Sequence, residues 1–135
     1  TGETAADQVA GKMLHEWIRN DLMGAPGDED GGGMSAFVVF SQMGFYPVTP
    51  GEPVYAIGSP VFEEVNVDLG DGTSFTIEAP GASFERKYIQ GAELNGETLD
   101  TPWISHEALK RGGKLFLELG SRASHSWGTT ITDTP

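Results

Sequence analysis

The spacing of apolar residues changes period near residue 50. From Thr4 to Asn20, apolar side chains fall at Ala5, Ala6, Val9, Ala10, Met13, Leu14, Trp17 and Ile18. Pairs recur about one turn apart, which predicts an amphipathic helix, and Thr4 with Asp7 resembles a capping box. A second helix is predicted over Gly33–Met43. There Met34, Ala36, Phe37, Val38, Val39, Phe40 and Met43 cover nearly the whole circumference. A helix apolar all round is expected to be buried on all sides. Gly44 supplies a C-cap, and Pro47 ends any continuation. Two helices cannot bury such a segment alone, so helical partners are expected upstream.

After Val54 the period becomes two. Val54-Tyr55-Ala56-Ile57 predicts a short strand, and Val65-Asn66-Val67-Asp68-Leu69 alternates cleanly. Gly70-Asp71-Gly72 has hairpin chemistry, with Ser74-Phe75-Thr76-Ile77 as the paired strand. Lys87-Tyr88-Ile89-Gln90 follows, then a tight turn at Leu94-Asn95-Gly96. Trp103-Ile104-Ser105-His106 leads to a helical turn near Glu107–Lys110, and Leu115–Leu119 is the last strand. Regular strands and turns predict a small antiparallel sandwich. The fold class is therefore α+β, with a boundary near Pro47–Pro53: helices over 1–48, a β-rich region over 49–128, and a polar tail or linker over 129–135.

The chain has 135 residues, about one ordinary domain, with 19 glycines and 8 prolines that fit a turn-rich protein. A net charge of -12 repels phosphate backbones, which argues against nucleic acid as a partner. No basic amphipathic helix or apolar run approaching about 20 residues suggests a membrane partner. The absence of cysteine excludes disulfides and thiolate chemistry. The chain opens at Thr1 without a leader-like segment, and a processed or truncated piece is expected.

Charge is concentrated at one helix start. Asp28-Glu29-Asp30 lies between Gly24-Ala25-Pro26-Gly27 and Gly31-Gly32-Gly33. Free N–H groups at a helix start favour anions, and glycines permit close approach of backbone and substrate. That suits a carboxylate base for glycosidic hydrolysis, which needs two carboxyl groups. From spacing alone it suits a helix cap or a solvated loop better, because acids are common before helices. An EF-hand is rejected: counted from Asp28, position 5 is Gly32 and position 12 is Val39, so the decisive glutamate is missing. A calcium contact of another kind stays open. The three glycines lack the Lys-Ser or Lys-Thr of a phosphate loop. His15, His106 and His125 have no ligand spacing and read as ordinary surface or core residues. Trp17, Trp103 and Trp127 read as core packing before sugar stacking.

The block Pro26-Gly27-Asp28-Glu29-Asp30-Gly31-Gly32-Gly33-Met34-Ser35-Ala36, continuing through Phe40-Ser41-Gln42-Met43-Gly44-Phe45-Tyr46-Pro47-Val48, resembles the signature of glycoside hydrolase family 92, the α-mannosidases. Tyr55-x-Ile57-Gly58-Ser59-Pro60, Tyr88-Ile89-Gln90, Leu94-Asn95-Gly96, Trp103-Ile104-x-His106 and Gly112-Gly113 resemble its later elements. Gly33 stands where many relatives carry glutamine, and Ala123 where proline is common. The resemblance implies an inverting, calcium-dependent exo-α-mannosidase. Residues 1–48 would then be the last helices of an (α/α)6 barrel, with the β-rich region after them. It also implies Asp30 as general base and Asp28 as its helper on the attacking water. The general acid and most calcium ligands would lie in the rest of the parent enzyme, in the upstream barrel and an N-terminal β-sandwich. A mannose-containing glycan is the implied substrate, and an extracellular or periplasmic site the implied location. The chain alone is expected to be inactive. The alternative is a β-sandwich carbohydrate-binding or interaction module without catalysis.

Overall fold

In a computed structural model, residues 16, 18–21, 24 and 31–129 are described. Most of the predicted first helix, the acids Asp28, Glu29 and Asp30, and the tail beyond residue 129 lie outside the described residues.

Helix α1 (Gly33–Met43) has the predicted bounds. It stops at Gly44, whose φ of 94° is left-handed and whose N–H donates to Phe40 O and Ser41 O at 3.1 and 3.3 Å. Only glycine fits there, because a Cβ would also sit 3.0 Å from Pro60. Within this chain none of the residues of α1 is buried, and Val39 is 53% exposed. Phe40 and Met43 pack against the core and Phe37 meets Tyr46, while Val39 faces away from both among the described residues.

A short strand, β1 (Phe45–Tyr46), follows the cap and pairs antiparallel with β2 (Val54–Ile57). Strand β7 (Trp103–Ser105) pairs antiparallel on the other side of β2 and completes a three-stranded sheet. A second sheet contains β3 (Glu64–Asp68), β4 (Ser74–Glu78), β5 (Tyr88–Leu94), β6 (Glu97–Thr98) and β8 (Gly113–Gly120), in the order β3-β4-β8-β5-β6. Helix α2 (His106–Lys110) follows β7, capped by Ser105, whose hydroxyl accepts from Ala108 N at 3.1 Å. Among the described residues, no helix is long and apolar enough to cross a membrane.

The purely antiparallel expectation is corrected at one pair: β4 and β8 run parallel, with Ile77 opposite Leu115. Parallel neighbours need a long crossover, and the segment holding β5, β6, β7 and α2 supplies it. The other strand pairs among the described residues are antiparallel.

Strict alternation along β8 explains its central place. Leu115, Leu117 and Leu119 are buried, whereas Phe116 is half-buried and Glu118 exposed. Phe75 and Ile77 of β4 meet them from the next strand, and burial contributes about 1.5–3 kcal/mol for each such side chain. Phe45, Ile57 and Ile104 of the smaller sheet and Leu109 of α2 join the same core. The two sheets thus bury one common interior.

Turn chemistry sets the registers. Asn95 (φ 54°) and Gly96 (φ 83°) are both left-handed, as a two-residue hairpin joining Leu94 to Glu97 requires. Asn95 also ties the hairpin to β8: its Oδ1 accepts from Lys114 N at 2.7 Å, and its N–H donates to Lys114 O at 2.8 Å. Gly113 makes room for this, since a Cβ there would lie 2.0 Å from Asn95 Oδ1.

Candidate functional site

The acidic loop reaches α1 through two left-handed glycines, Gly31 (φ 67°) and Gly32 (φ 84°). Gly32 is the N-cap and has no side chain to cap the helix; Ala36 N donates to Gly32 O at 2.9 Å to close the first turn. No acid lies within that turn, and the nearest acids in sequence precede it. These are Asp28, Glu29 and Asp30, which lie outside the described residues.

On the upstream side, Gly24 is buried and closes a tight turn: Arg19 N donates to Gly24 O at 2.9 Å, and Gly24 N to Asp21 O at 3.0 Å. A Cβ at Gly24 would lie 1.7 Å from Arg19 O, so this end of the loop tolerates no side chain. At Gly33 a Cβ would meet nothing within 4 Å. That position therefore has room for the glutamine the family pattern favours.

The smaller sheet anchors α1 through aromatic rings. Phe37 meets Tyr46 edge-on, with centroids 5.3 Å apart. Phe40 meets Phe45 edge-on at 5.4 Å and stacks on Tyr55 at 6.4 Å. Such pairs add about 0.5–1.5 kcal/mol each beyond area burial. Tyr55 OH in turn shares a 2.9 Å hydrogen bond with His106 Nδ1, joining β2 to the start of α2. This link ties two motif segments 51 residues apart, and neither residue's spacing announces it.

The remaining candidates separate. His106 is the structural partner of Tyr55, His125 is exposed, and His15 lies outside the described residues. Trp103 is half-buried in β7. Trp127 packs against the core and donates its indole N–H to Leu99 O at 2.7 Å, and Trp17 lies outside the described residues. Among the described residues, no group of three or more His, Asp or Glu side chains is placed to hold a metal ion. Asp71 is held below the usual carboxylate range, chiefly by the Thr73 hydroxyl and then by the Thr73 N–H at 2.9 Å. It sits on an exposed hairpin turn and has no part in the loop before α1.

The chain belongs to glycosyl hydrolase family 92, whose catalytic-domain model matches residues 3–121. An uncharacterized secreted glycosidase of Arthroderma benhamiae is 38% identical over 134 residues, covering 94% of this chain and 17% of that protein. A family GH92 inverting mannosidase from Bacteroides thetaiotaomicron superposes with a TM-score of 0.87 at 40% identity, over 96% of this chain and 18% of that one. A family GH92 α-mannosidase from the same organism, in complex with mannoimidazole, gives 0.86 at 25% identity, over 92% and 16%. The chain thus spans less than a fifth of the length of these relatives.

Proposed function

We propose that this chain is the C-terminal part of a calcium-dependent, inverting exo-α-mannosidase and supplies its general-base carboxylates. The observation that carries the reading is the family match over residues 3–121, together with the 40% identity to an inverting mannosidase. On this reading residues 1–48 are the last helices of an (α/α)6 barrel, and residues 49–128 a β-rich region against which they rest. The exposed apolar surface of α1 supports upstream helical partners, because a stripe this apolar belongs in a protein interior.

Asp30 takes a proton from water as the water oxygen attacks the anomeric carbon from the face opposite the leaving oxygen. That oxygen receives a proton from a carboxylic acid in the upstream part of the enzyme. Inversion needs the two carboxyl groups roughly 6.5–9.5 Å apart, leaving room for the water. Asp28 helps to orient that water. The helix start favours the ionised form of both aspartates, which a base at working pH requires. Calcium, when bound, would polarise the sugar hydroxyls, and its ligands lie mostly in the rest of the parent enzyme. The secreted relative supports an extracellular or periplasmic site of action on mannose-containing glycans. The chain alone lacks the general acid and is inactive.

The test is mannose release from aryl α-mannosides by the full-length protein with calcium, comparing wild type with Asp30→Asn. The expected result is a rate loss of at least about a hundredfold with an unchanged circular-dichroism spectrum. Equal rates would reduce Asp30 to a loop residue.

A further inference from the structure

The outer face of the five-stranded sheet carries a groove that the proposed catalytic role does not use. In the register of β5 with β8, Gly91 lies opposite Glu118 and Glu93 opposite Phe116, while Thr98 of β6 lies opposite Glu93. Their neighbours Ala92, Leu117 and Leu119 are buried, so Glu93, Phe116 and Glu118 belong to the face away from the core. A register shift between Ile89 and Gly91 breaks the ladder here, a device that re-aims side chains. With Asp100 and Trp127, these residues line a groove of about 330 Å³. That is the lower end of the ~300–1,000 Å³ typical of small-molecule sites. No residue of α1 or of the three-stranded sheet lines it.

We infer that this groove binds a neutral saccharide. Trp127 supplies an aromatic wall that is already fixed. Its indole N–H is satisfied by Leu99 O at 2.7 Å, and Ser124 Oγ accepts from both Ser126 N and Trp127 N, at 3.3 and 3.4 Å. The ring therefore gives up little conformational freedom on binding. Glu93, Asp100 and Glu118 supply acceptors only, and among the described residues none forms an ion pair. A ligand that fits brings several donors and no negative charge. A single cation needs convergent carboxylates, and no such group exists among the described residues. Acceptors spread along a groove beside an aromatic face instead match the hydroxyls and the apolar face of a sugar ring. Gly91 leaves room beside the carboxylate, since a Cβ there would sit 3.7 Å from Glu118 Oε2.

The test uses the full-length protein carrying Asp30→Asn, so that the saccharide is not consumed, titrated calorimetrically with mannotriose and with cellotriose. One class of sites for at least one trisaccharide is expected to vanish when Trp127→Ala is added. The same class should weaken at least tenfold with Glu118→Ala, an exposed position where folding is not at stake. Binding unchanged in both variants overturns the inference. So does calcium alone binding at a site that Glu118→Ala abolishes. Failure of the mannosidase reading is scored separately, by the lack of mannose release from aryl α-mannosides by the unsubstituted protein, and it leaves a Trp127-dependent binding class intact.

Discussion

Replacing Gly113 by alanine attacks the place where the last strand meets the β5–β6 hairpin. Gly113 has a φ of 116°, a conformation L side chains rarely adopt, and its new Cβ would lie 2.0 Å from Asn95 Oδ1. The backbone strain costs about 1–3 kcal/mol. Pushing the amide away also breaks the bond from Lys114 N, a further ~1 kcal/mol. A total near 2–4 kcal/mol corresponds to local opening about 30- to 1,000-fold more frequent. Hydrogen exchange of the full-length protein, read on peptides spanning 88–98 and 113–120, measures that opening directly. Two controls divide the effect. Gly51→Ala has a similar positive φ of 89° in open space, so it should carry strain without a clash. Asn95→Gly keeps the left-handed turn but removes the colliding amide, so adding Gly113→Ala to it should cost less than in wild type by the steric part. Exchange within threefold of wild type in Gly113→Ala would refute the reasoning. So would equal costs in the two backgrounds.

Leu117→Ala empties a fully buried position in the central strand and is expected to cost about 2–5 kcal/mol, seen as faster exchange along β4, β5 and β8; a change under 1 kcal/mol would mean the site collapses freely. Tyr55→Phe leaves His106 Nδ1 without its partner while keeping the ring stack on Phe40, so a loss of about 1 kcal/mol is expected in unfolding measurements, and no loss would show that water replaces the hydroxyl. Asp71 is ionised more easily folded than unfolded, so its contribution is present above the unfolded value and is lost as pH falls through the folded one. Its carboxyl should titrate below 3.8 by NMR, and Thr73→Ala should move the midpoint up; a midpoint that does not move would remove Thr73 as the cause.

Helix α1 was legible to the residue, because seven apolar side chains in eleven and a glycine stop leave little choice. The hairpins around Gly70-Asp71-Gly72 and Asn95-Gly96 were legible for the same kind of reason: turn chemistry is local. Strand β1 was not, since Phe45-Tyr46 is too short to show a period and pairs only because Gly44 turns the chain back beside β2. The parallel β4–β8 pairing was equally hidden, as Ser74–Glu78 and Gly113–Gly120 alternate alike whichever way they run. The apolar circumference of α1 states what the helix needs rather than what this chain supplies, which is why its partners were expected upstream. As for the site, Asp28 and Asp30 stand out by spacing only as acids before a helix, and their assigned roles come from the family pattern. The Trp127 groove was missed, because its walls come from β5, β6, β8 and the segment after them.

Strand β8, the last in sequence among the described strands, is the middle of its sheet. With the order β3-β4-β8-β5-β6, the β3–β4 and β5–β6 hairpins have no common neighbour until residues 113–120 have left the ribosome. Until then Phe75 and Ile77 lack the leucines that cover them, and two sheet edges stay open to other chains. A polypeptide cut short before Gly113 would thus lose far more than one strand. It would leave two unconnected hairpins, and nascent chains stalled there are natural clients for a chaperone.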